Sequence, residues 1–190
     1  CLLIVCLEAR PMKTALIVID VQQALCEGEG AVWQAPALIE RLNGLTARAR
    51  QAGVPVVFVQ HESPGSPLAH GSRGWQLADG LQTSPLDLRV GKTTADSFHG
   101  TGLKLRLDAL GIQALVLCGM HTEFCVDTTT RRALALGYPV TLPADGHGSA
   151  GNAALSAEQV VAHHNITLSH ITSFGPRVQV LNSADITFGG

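Results

Sequence analysis

Short aliphatic runs, separated by longer segments with helical periodicity, are the feature that most constrains the fold of this chain. Such alternation is typical of repeated strand–helix units in which the strands are buried on both faces. We predict six strands, at 15–19, 54–59, 88–90, 112–117, 138–142 and 177–181. The intervening periodicity indicates four or five helices, including those at 36–52, 103–110, 123–136 and 156–169.

The composition favours a large aliphatic core. Hydrophobic residues make up 46% of the 190 residues but aromatic residues only 4%, so aliphatic side chains must fill the interior. A parallel sheet covered on both faces suits such a core. We therefore predict an α/β fold of the three-layer α-β-α, Rossmann-like type, with a six-stranded, mostly parallel sheet. We expect a single domain over 12–190, preceded at 1–11 by an extension that is either non-native or poorly specified.

Charge and cysteine content narrow the classes of partner and compartment. A formal net charge of -2 offers no basic surface for nucleic acid or for an anionic membrane. No apolar run approaches the ~20 residues needed to span a bilayer. Five cysteines, an odd number without a CxxC pair, argue against a disulfide framework or a zinc site. We expect a cytoplasmic protein with a small-molecule substrate and with neither a nucleic-acid nor a membrane partner.

Three chemically useful residues follow predicted strands. Asp20 comes after the first run, Lys92 after the third, and Cys125 lies near the start of the helix after the fourth. Parallel sheets bind ligands at the carboxyl ends of their strands. A cysteine at a helix start is favoured as thiolate by the helix dipole, and a carboxylate could take its proton. Taken singly, each residue is equally compatible with a capping, solvated or buried structural role.

Four ordered segments make the chain resemble the isochorismatase-like cysteine hydrolases, the superfamily that includes nicotinamidases and N-carbamoylsarcosine amidases. They are ALIVIDVQQ at 15–23, VGKTTADSF at 90–98, CGMHTEFCV at 118–126 and TTRRA at 129–133. The resemblance implies that Asp20 is the general base, Lys92 the lysine that sets the charge, and Cys125 the nucleophile. It also implies a cis peptide bond between Met120 and His121.

The resemblance implies a mechanism and leaves alternatives open. The backbone N–H groups of His121 and Cys125 would form the oxyanion hole, and a thioester on Cys125 would be the intermediate. We expect a hydrolase for C–N bonds of amide, imide or carbamoyl type. The alternatives are an isochorismatase-type vinyl-ether hydrolase, which in this family can lack the cysteine, and a non-catalytic binding member. Family members are commonly dimers or tetramers, so a homo-oligomer is expected.

A resident metal or cofactor is not expected. Related nicotinamidases bind a metal through Asp-x-His and a further His, whereas this chain has VQHES at 59–63 and lacks the aspartate. His61, His70 and His99 remain conceivable ligands. The long segment 61–85 is expected to form a wall of the substrate pocket. The residues expected to border that pocket are Gln22, His61, Trp75, Phe98 and Glu123.

Overall fold

The structure, a computed structural model, describes residues 12–188. The extension expected at 1–11 lies outside the described residues. The strands are β1 (Thr14–Ile19), β2 (Val56–His61), β3 (Leu88–Lys92), β4 (Ala114–Met120), β5 (Val140–Pro143), β6 (His147–Gly148) and β7 (Val178–Leu181). The helices are α1 (Gln23–Cys26), α2 (Ala35–Gln51), α3 (Leu103–Ala109), α4 (Asp127–Ala135) and α5 (Ala157–Ser169). A π-helical turn spans Thr122–Val126, and a 3₁₀ turn spans Ser183–Asp185.

The strands form one sheet in the order β3-β2-β1-β4-β5-β7, and β6 pairs with β4 beyond the end of β5. Every named strand pair is parallel. The predicted α/β fold with a mostly parallel sheet is confirmed, but the sheet has seven strands rather than six. The missed strand, β6, is only two residues long, so it carries neither an aliphatic run nor an alternating pattern.

Two apolar clusters cover the two faces of the sheet, and β1 supplies both. Leu16 and Val18 pack into the cluster that contains buried residues of α2. Ile17 and Ile19 pack into the other cluster, which contains buried residues of α3, α4 and α5. Successive strand residues point to opposite faces, so a strand covered on both faces must be apolar throughout. This explains why β1 reads as an unbroken aliphatic run.

The register aligns the carboxyl ends of three central strands. Ile19, the last residue of β1, pairs with Val59 on one side and with Gly119 on the other. Gly119 has a φ of 120°, and a Cβ built there would lie 2.0 Å from the carbonyl oxygen of Ile19. Only glycine fits this approach, which brings the exits of β1 and β4 side by side. Asp20 therefore emerges beside the turn that follows β4.

The segment between β2 and β3 runs from 62 to 87 and contains no helix or strand, although Leu77 forms an isolated antiparallel bridge with Gln22. Its backbone also pairs with the chain just after β1: the N–H of Gln23 donates to Gln76, and that of Ala78 donates to Val21. The segment is thus held against the carboxyl edge of the sheet. Among residues 12–188, no helix is both long and apolar enough to cross a membrane.

Candidate active site

The structure brings Asp20, Lys92 and Cys125 together at the carboxyl edge of the sheet. Asp20 directly follows β1, Lys92 ends β3, and Cys125 lies in the π-helical turn after β4. Lys92 Nζ is 2.7 Å from Asp20 Oδ2 and 3.2 Å from Cys125 Sγ. The carboxylate, the ammonium and the thiol therefore form a continuous cluster, whose catalytic roles stay predictions.

The Lys92 ammonium is the centre of this cluster. Besides Asp20 and Cys125, Nζ contacts the carbonyl oxygen of Thr94 at 2.9 Å and Nδ1 of His61 at 3.2 Å. Four acceptors thus surround a group with three N–H donors. The Lys92 side chain is fully buried, and that of Asp20 is 1% exposed. Such a buried ion pair persists only when its charges compensate each other closely.

Asp20 keeps accepting capacity in spite of this ion pair. Its φ of 52° places it in the left-handed region, which Asp tolerates better than most residues. Oδ2 lies 2.7 Å from Lys92 Nζ, whereas Oδ1 has no hydrogen-bond partner among the described residues. Burial raises the pKa of the Asp20 carboxyl, while Lys92 and the thiol of Cys125 oppose that rise. The carboxylate is therefore a stronger base than an exposed aspartate.

The surroundings of Cys125 favour its protonated thiol. Burial, together with the negative charge of Asp20, raises its pKa to about 12, and the opposing effect of Lys92 is smaller. This direction is opposite to the one expected from the helix start, and the state of the thiol stays a prediction. A five-residue π-helical turn, Thr122–Val126, precedes α4, so Cys125 lies before the first residue of that helix.

His61 completes the cluster as a neutral ring. Burial and the positive charge of Lys92 lower the pKa of His61. A neutral imidazole can accept the Lys92 proton at Nδ1 only as the Nε2–H tautomer. Metal-binding atoms of Asp20, His61 and Cys125 lie within 4.8 Å of one another. The Lys92 ammonium contacts all three, so a resident metal ion does not fit this donor set.

The other two histidines considered as metal ligands do not extend the cluster. His70 packs its ring against Trp75, with centroids 4.5 Å apart, and Nε2 is 4.0 Å from a carboxylate oxygen of Glu62. His99 is exposed after β3. Neither is part of the group that holds His61.

The turn that carries Cys125 begins with a cis peptide bond between Met120 and His121. The carbonyl oxygen of His121 then accepts hydrogen bonds from the backbone N–H groups of Phe124 and Val126. The path of the chain thus reverses tightly around Cys125, which stays partly accessible. The oxyanion-hole role of the His121 and Cys125 N–H groups stays a prediction.

Two of the predicted pocket residues contribute to the fold. Gln22 is fully buried, and its side chain bonds the backbone of His61 and the carbonyl oxygen of Trp75. The side-chain amide of Gln22 thus connects the residues after β1 both to β2 and to the segment 62–87. Phe98 is buried in the core and stacks on Tyr138 with ring centroids 6.2 Å apart. The pocket roles of Gln22 and Phe98 stay predictions.

Trp75 and Glu123 are half-buried near the site. Trp75 Nε1 is buried without a partner among the described residues, and the ring borders a cavity of about 550 Å³ with Gln60 and Glu62. Glu123 lies two residues before Cys125; its Oε1 accepts from Ser149 Oγ at 2.8 Å, whereas Oε2 is buried without a partner. Their pocket roles stay predictions.

Sequence reasoning missed a buried polar group behind the turn. Nδ1 of His147 lies 2.9 Å from Thr122 Oγ1, and its Nε2 lies 2.9 Å from Asn165 Oδ1. Burial lowers the pKa of His147 to about 4. Since these residues come from the turn, β6 and α5, no local sequence pattern connects them.

Comparison with known proteins identifies the family. A family model described as the isochorismatase domain matches residues 14–170. This chain belongs to the isochorismatase family. The resemblance noted in the sequence is thereby confirmed, and the seven-stranded sheet is the α/β fold that the chain shares with solved isochorismatase-family structures.

Several known proteins are similar in sequence to most of this chain. A streptothricin hydrolase from Streptomyces noursei is 43% identical and covers 71% of the chain, but the chain covers 49% of that relative. The chain thus spans about half the length of the streptothricin hydrolases it matches. A ureidoacrylate amidohydrolase, RutB, from Methylobacterium radiotolerans is 30% identical, with coverage of 86% and 75%. The crystal structure of an isochorismatase family protein is 34% identical, with a TM-score of 0.82 and coverage of 90% and 98%.

Proposed function

We propose that this protein is a cysteine-dependent hydrolase that cleaves a C–N bond of a small amide, imide or carbamoyl compound through a thioester intermediate. The observation that carries the proposal is the contact of one buried ammonium, Lys92 Nζ, with Asp20 Oδ2 at 2.7 Å and with Cys125 Sγ at 3.2 Å. Nucleophile, base and compensating charge are the parts that covalent catalysis by a thiol requires.

In the first half of the reaction, Cys125 Sγ attacks the substrate carbonyl carbon while Asp20 accepts the thiol proton. Because the pKa of the free thiol is raised to about 12, attack and proton transfer to Asp20 are coupled. The C=O electron pair moves to oxygen, where the backbone N–H groups of His121 and Cys125 stabilise the oxyanion. Lys92 stays protonated throughout and balances the charge that Asp20 gives up and regains.

In the second half, the C–N bond breaks and the proton held by Asp20 passes to the leaving nitrogen. The amine or ammonia departs and leaves an acyl group on Cys125 Sγ. Asp20 then takes a proton from water, whose oxygen attacks the thioester carbon. Collapse of that intermediate breaks the C–S bond, releases the carboxylic or carbamic acid, and returns the proton to the thiol.

The names of two relatives support a nitrogen-containing substrate. One relative is a streptothricin hydrolase and another a ureidoacrylate amidohydrolase. The presence of Cys125 favours C–N hydrolysis over vinyl-ether cleavage, because the latter activity in this family can lack the cysteine. The presence of all three residues, with Asp20 and Cys125 both in contact with Lys92, favours an enzyme over a non-catalytic binding protein.

The test is the release of ammonia or amine from a panel of small amides. The panel contains nicotinamide, N-carbamoyl amino acids, ureidoacrylate, other ureido acids, cyclic amides and streptothricin. The wild type is compared with Cys125→Ala and with Cys118→Ala, a matched control whose thiol is fully buried in β4. We expect release by the wild type and by Cys118→Ala, and none by Cys125→Ala with an unchanged circular dichroism spectrum.

Mass spectrometry of the quenched reaction adds a second readout. An adduct of the acyl mass on Cys125 is expected in the wild type. Equal turnover by the wild type and Cys125→Ala would overturn the cysteine mechanism. Silence of the wild type over the whole panel, together with isochorismate cleavage by both proteins, would replace the proposal with vinyl-ether hydrolysis.

A further inference from the structure

A chain of buried hydrogen bonds lies behind the turn that carries Cys125. It runs from Thr122 Oγ1 to His147 Nδ1, from His147 Nε2 to Asn165 Oδ1, and from Asn165 Nδ2 to the carbonyl oxygen of Ala144, at 2.9, 2.9 and 3.0 Å. Thr122 is fully buried and His147 is 3% exposed. Most buried polar groups in folded proteins have such partners.

The bond to Ala144, at one end of this hydrogen-bond series, fixes which group donates in every other bond of the series. A carbonyl oxygen only accepts, so Asn165 presents its NH₂ to Ala144 and its oxygen to His147. His147 must therefore donate from Nε2, and a neutral ring then has Nδ1 free as an acceptor. Thr122 consequently donates its hydroxyl proton to Nδ1. With a neutral His147 the hydrogen-bond series has one consistent arrangement of protons, and a second proton on His147 would reverse its bond with Thr122.

This series of hydrogen bonds connects residues from different parts of the fold. Thr122 is the first residue of the π-helical turn and lies three residues before Cys125. His147 lies in β6, where it pairs with Gly119 of β4, and Asn165 lies in α5. The hydroxyl of Thr122 thus ties the start of the turn to an anchor that does not belong to the turn itself.

We infer that Thr122 and His147 are positioning residues that hold the turn so that Cys125 Sγ stays in contact with Lys92 and near Asp20, an inference that rests on the proposed function. The geometry required is tight, because Sγ is 3.2 Å from Lys92 Nζ and a π-helical turn lacks the support of a regular helix. Displacement of a reacting group by about 1 Å can cost on the order of a hundredfold in rate.

Thr122→Val is the central variant, since it keeps the shape of the side chain and removes only the donor. Thr122→Ser restores the donor. Thr130→Val is the matched control, because Thr130 in α4 is equally buried but its hydroxyl has no partner among the described residues. We expect Thr122→Val to lower kcat about tenfold or more with KM changed less than about twofold. Thr122→Ser and Thr130→Val should keep the wild-type kcat.

Alkylation of Cys125 by iodoacetamide separates positioning from mere stability, and it needs no substrate. With Cys26 and Cys118 mapped by mass spectrometry as internal references, the alkylation rate of Thr122→Val should differ from that of the wild type at Cys125 alone. The pH dependence of that rate should move to lower pH, because Sγ moves away from Asp20, whose charge raises the thiol pKa more than Lys92 lowers it. If Thr122→Val does not fold, Asn165→Leu carries the test, since it removes the acceptor of the His147 Nε2–H and the donor to Ala144 and should lower kcat in the same way.

Two outcomes would overturn the inference. One is a Thr122→Val protein with a lower melting temperature but with wild-type kcat and alkylation, which would make the hydrogen-bond chain purely structural. The other is an equal loss in Thr130→Val, which would point to general disturbance by valine. Silence of the wild type on every substrate would count against the proposed function instead, and the alkylation comparison would still decide the positioning role.

Discussion

Replacement of Lys92 by methionine should destabilise the protein in a way that depends on pH. Methionine keeps most of the length and apolar volume of the side chain but removes the charge that compensates Asp20. The two side chains are 0% and 1% exposed, so the carboxylate left behind is buried without a counterion. Removal of one partner of a buried ion pair costs about 3–5 kcal/mol.

The pH dependence follows from the pKa of Asp20, which burial already raises above its usual value of 3.8. Without Lys92 the pKa of Asp20 in the folded state rises further, while the unfolded value is unchanged. Between the pKa of Asp20 in the unfolded state and its higher pKa in the folded state, the free energy of unfolding falls as pH rises. The loss is about 1.4 kcal/mol per pH unit. We therefore expect the loss of about 3–5 kcal/mol at pH 8 to shrink substantially at pH 5.

Urea denaturation at pH 8 and pH 5 measures this difference. The double variant Asp20→Asn with Lys92→Met carries no buried charge and should recover most of the stability lost at pH 8. Lys104→Met is the control, because Lys104 pairs with Asp108 at 2.6 Å on an exposed surface and should show no pH-dependent loss. A Lys92→Met loss that is the same at both pH values, or a double variant no more stable than Lys92→Met, would refute the argument.

Two further predictions concern the frame of the site. Gly119→Ala should lower the free energy of unfolding, measured by urea denaturation, by about 3 kcal/mol or more and should lower turnover, because its Cβ would lie 2.0 Å from Ile19 O. Gly44→Ala in α2 is the control and should be neutral or stabilising. Equal effects of the two substitutions would contradict the close approach at Gly119. His147 has a folded pKa of about 4 against an ordinary 6.5, so the wild type should lose up to about 3 kcal/mol as pH falls from 6.5 to 4. His147→Gln should lack that part of the loss, and identical acid profiles would show that His147 does not titrate in this way.

Much of the fold could be predicted from the sequence because burial on both faces leaves an unbroken aliphatic run. The runs at 15–19 and 112–117 correspond to β1 and β4, with ends displaced by up to three residues. β6 could not be predicted, because its pairing depends on where the turn after β5 lies in space. α1, only four residues long, likewise has too little periodicity to be detected.

The site was predicted less evenly. Asp20, Lys92 and Cys125 could be found because each follows a predicted strand and matches a family segment. The protonation state of Cys125 stays a prediction, because the helix dipole favours a thiolate whereas burial, which the sequence does not show, raises the pKa of the thiol. The burial of Phe98 and Gln22 could not be predicted, because it depends on neighbours distant in the chain.

The order of strands in the sheet makes assembly of the cluster of Asp20, Lys92 and Cys125 a late event in folding. Asp20, Lys92 and Cys125 follow or end three different strands, and the parallel pairs among β3, β2, β1 and β4 can form only after crossovers have closed. Such non-local pairing is slow compared with helix formation. A fragment or a half-assembled chain therefore has a cysteine but no base or compensating ammonium beside it. Recovery of turnover during refolding should consequently be proportional to the fraction of molecules with a complete central sheet. It should lag behind the recovery of the helical circular dichroism signal.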